Sequence, residues 1–404
     1  METTKLSELD YSPANYGLGT GAPTQRKCFR AKGLFWSFYY GQDIVTGNFS
    51  ILYKTSSDGI TWSRSKSIDN LSQSGVRFTV WYDELSGNIH YVRLAGTYLF
   101  HRMGVLRDDG KMELGQETLI DGDAGNVQSL CVDSSGLPWV AFRRSSKNIP
   151  VVAKSQTPDK WLMADGFPFA LTDESATSYW RTCIVPLLSG DIYVVYNPEF
   201  FQLRGRLWNG SWQREEIFSE LKTWEDAAFS AVAFGDTVYI VYGASASTRL
   251  CTRYPDGKWI EVALPMTSGV WPTLSIDTQG NLYIFWTDDS GVKCISNRSG
   301  TWEVNSLFDD TPAKGWCINS FYKGEDYIGV MWTHPTRAPY KAVFGAIRLV
   351  AEPLPPTPYR KEVRYTKQQW EDIVNIPASH YVEAIEITYN DLSQEWVFDC
   401  LING

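Results

Sequence analysis

At 404 residues the chain has room for one large β domain with an appendage, or for two ordinary domains. Its 46 acidic residues against 37 Lys and Arg, a formal net charge of -9, exclude the basic face that nucleic acid or an anionic lipid surface requires. No apolar run approaches the roughly 18 residues of a membrane-spanning helix, whereas 17 Trp, 22 Tyr and 19 Phe suit pleated, half-buried sheet surfaces.

In chain order, Met1–Asp10 is polar and acidic and lacks the basic-then-apolar pattern of a secretory leader, so synthesis in a cytosol is expected. From residue 28 a hairpin signature recurs: a β-rich run, a glycine turn, then alternating aromatic and aliphatic residues. Lys32-Gly33, Ser86-Gly87, Ser135-Gly136, Ser189-Gly190, Gly235-Asp236, Gln279-Gly280 and Lys323-Gly324 supply its seven turns. A second turn follows in each of the first six copies, usually with a Trp just beyond it: Trp62, Trp161, Trp212, Trp259 and Trp302, with Met112 near that place in the second. Two hairpins make four strands, and copies beginning near residues 28, 76, 127, 180, 228, 271 and 316 have the spacing of propeller blades, roughly 40 to 50 residues. The pattern predicts an all-β, seven-bladed β-propeller of four-stranded blades over residues 28–351.

The seventh copy ends after YKAVFGAIRLV, one strand short, and residues 1–27 are expected to supply the missing strand and close the ring. Residues 352–404 open with the Pro-rich EPLPPTP. Helix formers around Gln368–Val374 and two alternating runs then predict a small helix-plus-hairpin appendage, suited to docking on a partner protein or a sister subunit. Seven scattered Cys without a C-x-x-C pair, and four His without ligand spacing, predict no disulfide framework, metal or cofactor.

The run Ser56-Ser57-Asp58-Gly59-Ile60-Thr61-Trp62 resembles the Asp box of sialidase-like (BNR-repeat) propellers, one residue short of Ser-x-Asp-x-Gly-x-Thr-Trp. The turns at Asn209-Gly210, Asp256-Gly257 and Ser299-Gly300 look like eroded copies. The resemblance implies that Ser56, Asp58, Gly59, Thr61 and Trp62 form a structural turn between third and fourth strands on the outer rim. It also implies a sialidase's arginine triad, whose guanidinium forks clamp a substrate carboxylate. The chain has no Arg-Ile-Pro motif and counts to seven blades rather than the six of sialidases, and both departures weigh against sialidase activity.

Loops leading into first strands and those joining second to third strands share one face of a propeller and its central funnel. Arg26, Arg30, Arg77 and Arg181 fall near first strands, and Arg143, Arg144 and Arg337 near second-to-third loops. Of these, Arg77, Arg181 and Arg143 are the expected ligand contacts for a carboxylated or sulfated glycan. Pairing with acids such as Asp83 or Asp173 is the alternative reading. Trp180, Trp224, Trp271 and Trp316 recur just before first strands and form a candidate stacking surface, with Phe200-Phe201 nearby. The acids Asp121, Asp123, Asp173, Glu174, Glu225, Asp226, Asp288 and Asp289 share the face, but no pair among them is marked as a catalytic couple.

The expected function is therefore a non-enzymatic binding or adhesion module recognising a glycan or a protein. A glycan binder made in a cytosol is expected to leave the cell within a larger assembly such as a virus particle. A sialidase-like hydrolase or polysaccharide lyase, and an interaction scaffold using blade rims, are the alternatives.

Overall fold

The computed structural model describes residues 2–3, 7–12, 19–43, 45–69, 74–174, 180–197, 201–225, 228–266, 270–309, 315–334, 340–349, 359–366, 381–390 and 395–403. Residues 1–349 form one compact unit and 350–404 a second. The first is a seven-bladed β-propeller of four-stranded antiparallel blades.

The innermost strands are Cys28–Ala31, Phe78–Asp83, Ser129–Val132, Arg181–Pro186, Phe229–Phe234, Thr273–Asp277 and Ile318–Ser320. Each begins within two residues of the position read from the repeat. Blade 4 shows the register: Cys183 lies opposite Val195, and Val195 in turn opposite Gly205, so alternate side chains of the blade share one face. Outer strands are short, two residues in Phe169–Ala170 and Glu216–Ile217. That of blade 2 is broken into Met112–Leu114 and Thr118–Asp121.

Burial explains why the repeat must close. A four-stranded blade has two apolar faces and no helix to cover either, so each face is satisfied only by the next blade. Seven buried clusters occupy the seven junctions, including Phe35 and Tyr39 of blade 1 against Met331 and Phe344 of blade 7. Blade 7 contributes three strands of its own, and its outer position is taken by Glu2–Thr3 and Ser7–Ser12, both antiparallel to Tyr340–Arg348.

Hairpin turns between first and second strands are held by carboxylates. Asp133 accepts from the amides of Ser135 and Leu137 and from the Trp139 indole, with Gly136 at φ +77° closing the turn. Asp277 does the same for Gln279 and Asn281, with Gly280 at φ +87°. The Asp-box-like run forms the turn between the third and fourth strands of blade 1, Phe49–Ser56 and Lys66–Asp69. There the Asp58 carboxylate accepts from the amides of Ile60 and Thr61, which holds its pKa down to about 2. Trp62 stands edge-on to Phe344 of the last blade.

The second unit is a three-stranded antiparallel sheet with Glu395–Asn403 between Tyr359–Thr366 and Tyr381–Asn390. The two expected hairpin strands are present, and a third strand occupies the charged run YRKEVRYT. The helix expected at 368–374 and the Pro-rich EPLPPTP lie outside the described residues.

Candidate functional site

The propeller axis has two mouths. One, here the lead-in face, carries the segments that enter the inner strands and the second-to-third loops. The other, the hairpin face, carries the first-to-second turns.

At the lead-in mouth the segment 19–27 crosses the axis and stitches the ring together. Thr20 donates to the Cys317 carbonyl and accepts on its own carbonyl from Asn319, both in blade 7. Gln25 donates to the carbonyls of Val76 and Gln128 in the lead-ins of blades 2 and 3. Ala22 packs with Val76, Val127 and Trp316, and Gly21 lies so close to the Trp316 ring that a Cβ would sit 3.0 Å from it. Lys27 is fully enclosed, donating to the Gly21 carbonyl and Gln25 Oε1 above the Phe78 ring, and burial pushes its pKa well down.

Arg26 reaches furthest. Its Nη1 donates to the carbonyls of Leu274, Ser320 and Phe321, and its Nη2 to that of Ala231, so one guanidinium ties blade 1 to blades 5, 6 and 7. Among the described residues no carboxylate compensates it; carbonyl dipoles do, and desolvation lowers its pKa. Tyr322 lies 5.4 Å from the guanidinium, and Trp81 stands 4.7 Å from Tyr322. Arg26, Tyr322 and Trp81 thus form a septum across the axis.

The residues expected at the lead-in face separate on this frame. Trp224 and Trp271, both half-buried, meet edge to face with centroids 4.6 Å apart across the junction of blades 5 and 6. Both indole nitrogens are buried and no group among the described residues accepts from either, and the same holds for Trp180. Trp180 is wholly buried against Tyr196 and beneath Arg204. Arg77 is half-buried, and among the described residues its guanidinium enters no hydrogen bond or ion pair. Arg181 is half-buried at the start of its strand, and Arg143 lies flat against Gly125, where a Cβ would sit 2.4 Å from its Nη2. Arg144 pairs with Asp121 at 3.0 Å, as the alternative reading of the arginines supposed, although with a different acid from the two named for it. Arg26 is committed to the septum, and Arg30 belongs to the hairpin face, where it pairs with Asp326 at 2.9 Å. Asp123 is bonded to Ser146, Asp288 to Ser290 and Glu174 to Arg204. Arg337, Phe200 and Asp226 lie outside the described residues.

The hairpin mouth holds a hollow of about 530 Å³ that the sequence reading did not anticipate. It is lined by the far ends of the inner strands, with Phe29, Trp81, Tyr82, Leu187, Phe234 and Tyr322 on its walls and Leu85 and Leu188 on its rim. None of Arg77, Arg143, Arg181, Trp180, Trp224, Trp271 or Trp316 borders it. The available signal was local: a leucine in each of two hairpin turns, where polar residues are the rule.

Seven blades, a closed ring and an axis blocked by its own chain define a divergent β-propeller. No family model matches the sequence, and no curated protein does. Among solved structures, the polysaccharide lyase Uly1 superposes with a TM-score of 0.54 at 9% identity, over 87% of this chain and 100% of that one. Virginiamycin B lyase from Staphylococcus aureus gives 0.52 at 11% identity, over 86% and 100%. The endosialidase of phage phi92 gives 0.50 at 12% identity, over 97% of this chain and 74% of that one. At such identities the likeness establishes the fold.

Proposed function

We propose that this propeller recognises a glycan on its lead-in face and binds it without turning it over. The observation that carries the reading is the Trp224–Trp271 pair: two half-buried rings meeting edge to face across a blade junction on the lead-in face. A sugar offers C–H faces that stack on the half-buried faces of such rings. Arg77, without a carboxylate among the described residues, adds a cation suited to a carboxylate or sulfate substituent.

Binding is favoured over catalysis at the four acids of this face that are held, Asp121 by Arg144, Asp123 by Ser146, Asp288 by Ser290 and Glu174 by Arg204. Asp173 and Asp289 are the acids left to a hydrolase as the second reading. A glycosidase needs a carboxyl group at liberty to pass a proton. Proteins with this fold include polysaccharide lyases and an endosialidase by name, one of them an ulvan lyase bound to -[GlcA(1-4)Rha3S]-, which supports a carbohydrate as the ligand class. In this reading residues 359–403 attach the propeller to a larger assembly such as a virus particle.

The test is a glycan array probed with the wild type, Arg77→Ala/Arg181→Ala and Trp224→Ala/Trp271→Ala. Binding to acidic glycans that both double variants lose is the expected result. No signal on any glycan, or signals that neither pair changes, would overturn the site.

A further inference from the structure

We infer that the hollow on the hairpin face is a second site, which takes a protein partner by an apolar side chain carried in a basic segment. Its volume of about 530 Å³ falls in the range of ligand pockets, roughly 300–1,000 Å³. Its floor is the septum of Tyr322 and Trp81, and its rim carries Leu85 and Leu188, 83% and 79% exposed, among the most exposed large apolar side chains described. Two such leucines have no role in the folded chain's own core, and on the rim of a concave apolar surface they add area for a partner.

Most polar groups facing the hollow are already engaged, Arg30 with Asp326 and Lys323 with Glu84 among them. Arg26 is bonded to four carbonyls. Asp83 accepts from the Leu85 amide and the Ser86 hydroxyl, and Asp133 from two amides and an indole. The Tyr322 hydroxyl accepts from the Ala233 amide. A sugar buried here would exchange water for few new hydrogen bonds, whereas a large apolar side chain gives up none. The chemistry of this mouth is thus opposite to that of the Trp224–Trp271 surface.

Charge selects the partner further. On the turns around the mouth, Asp191, Asp236 and Glu325 stand as further acids beside the ion pairs Glu84–Lys323, Asp326–Arg30 and Asp108–Lys32, in a chain of net charge -9. A second copy docked across a two-fold axis would oppose one acidic rim to another. A segment with Lys or Arg beside its apolar anchor meets complementary charge instead, and the anchor fills the hollow as a hot-spot residue does.

The test is a selection from a random dodecamer peptide library on the intact protein, run in parallel on Leu85→Arg/Leu188→Arg. Both positions are exposed, so the variant is expected to keep the wild-type melting temperature; Leu85→Ser/Leu188→Ser serves if it does not. Enriched peptides are expected to carry an aromatic or large aliphatic residue beside Lys or Arg. A synthetic copy should bind the wild type at micromolar Kd, weaken about tenfold or more in the rim variant, and weaken as salt rises. The same copy should bind Trp224→Ala/Trp271→Ala unchanged, which separates this site from the glycan face. No enrichment, enrichment of acid-flanked or wholly polar peptides, or equal binding to wild type and rim variant would overturn the inference.

Discussion

Arg26 Nη2 donates to the Ala231 carbonyl at 2.9 Å, a hydrogen bond that runs from blade 1 across the propeller axis to blade 5. The same guanidinium also holds carbonyls of blades 6 and 7, so a single side chain spans the ring at its centre. Removing this crosslink tests whether the axis is structural.

Arg26→Met fills similar space but leaves the carbonyls of Ala231 and Leu274 buried with no replacement donor. Each stranded acceptor costs about 1–3 kcal/mol, so a loss of about 2–6 kcal/mol is expected in denaturant-induced unfolding. A variant within about 0.5 kcal/mol of wild type would show that the septum contributes nothing to stability.

The blade 2 histidines make stability depend on pH. His90 Nδ1 and His101 Nε2 lie 3.0 Å apart, both rings buried, with Trp161 edge-on to His101. Desolvation pushes His90 down to about 4 and His101 to about 3 from an ordinary 6.5. Below pH 6.5 the unfolded chain takes up protons that the native chain refuses. Stability is therefore complete above that value and falls as the pH drops from 6.5 towards 4, by a few kcal/mol. Melting temperatures across this window should fall more steeply for wild type than for His90→Leu/His101→Leu. Parallel slopes would contradict the assignment.

The edge of blade 7 gives a third prediction. Ser7–Ser12 and Glu2–Thr3 occupy the ladder of Tyr340–Arg348, so deleting residues 1–12 exposes that strand's outer hydrogen-bonding groups. A sharp drop in melting temperature and a gain in self-association by light scattering are expected. An unchanged melting temperature would mean that the ring holds without this strand.

The blades were legible because each carries the same local instructions: period-two alternation, a glycine turn and a second turn, repeated until only a closed ring could bury them. The septum was not legible. Arg26 is bonded to backbone carbonyls of Leu274, Ser320, Phe321 and Ala231, and no side-chain pattern marks a carbonyl as a partner. Arg26 and Arg30 read alike from the sequence, as cations near the first strand, yet the strand between them carries one into the axis and the other to the opposite mouth. Trp180 looked equivalent to Trp224 and Trp271 by position, but its burial depends on Tyr196 and Arg204 from other strands of its blade. The fold thus follows from repetition within the sequence, whereas the candidate sites depend on how far each blade's copy departs from the repeat.

The central claim, recognition of a glycan without turnover at the Trp224–Trp271 surface, is tested most directly by saturation-transfer proton NMR. The protein would be mixed with oligosaccharides bearing uronate, sialate or sulfate groups and followed over a day. Transfer to the sugar protons that vanishes in Trp224→Ala/Trp271→Ala, with the sugar spectrum otherwise unchanged throughout, is the predicted result. New anomeric or unsaturated-uronate signals, or no transfer to any sugar, would contradict it.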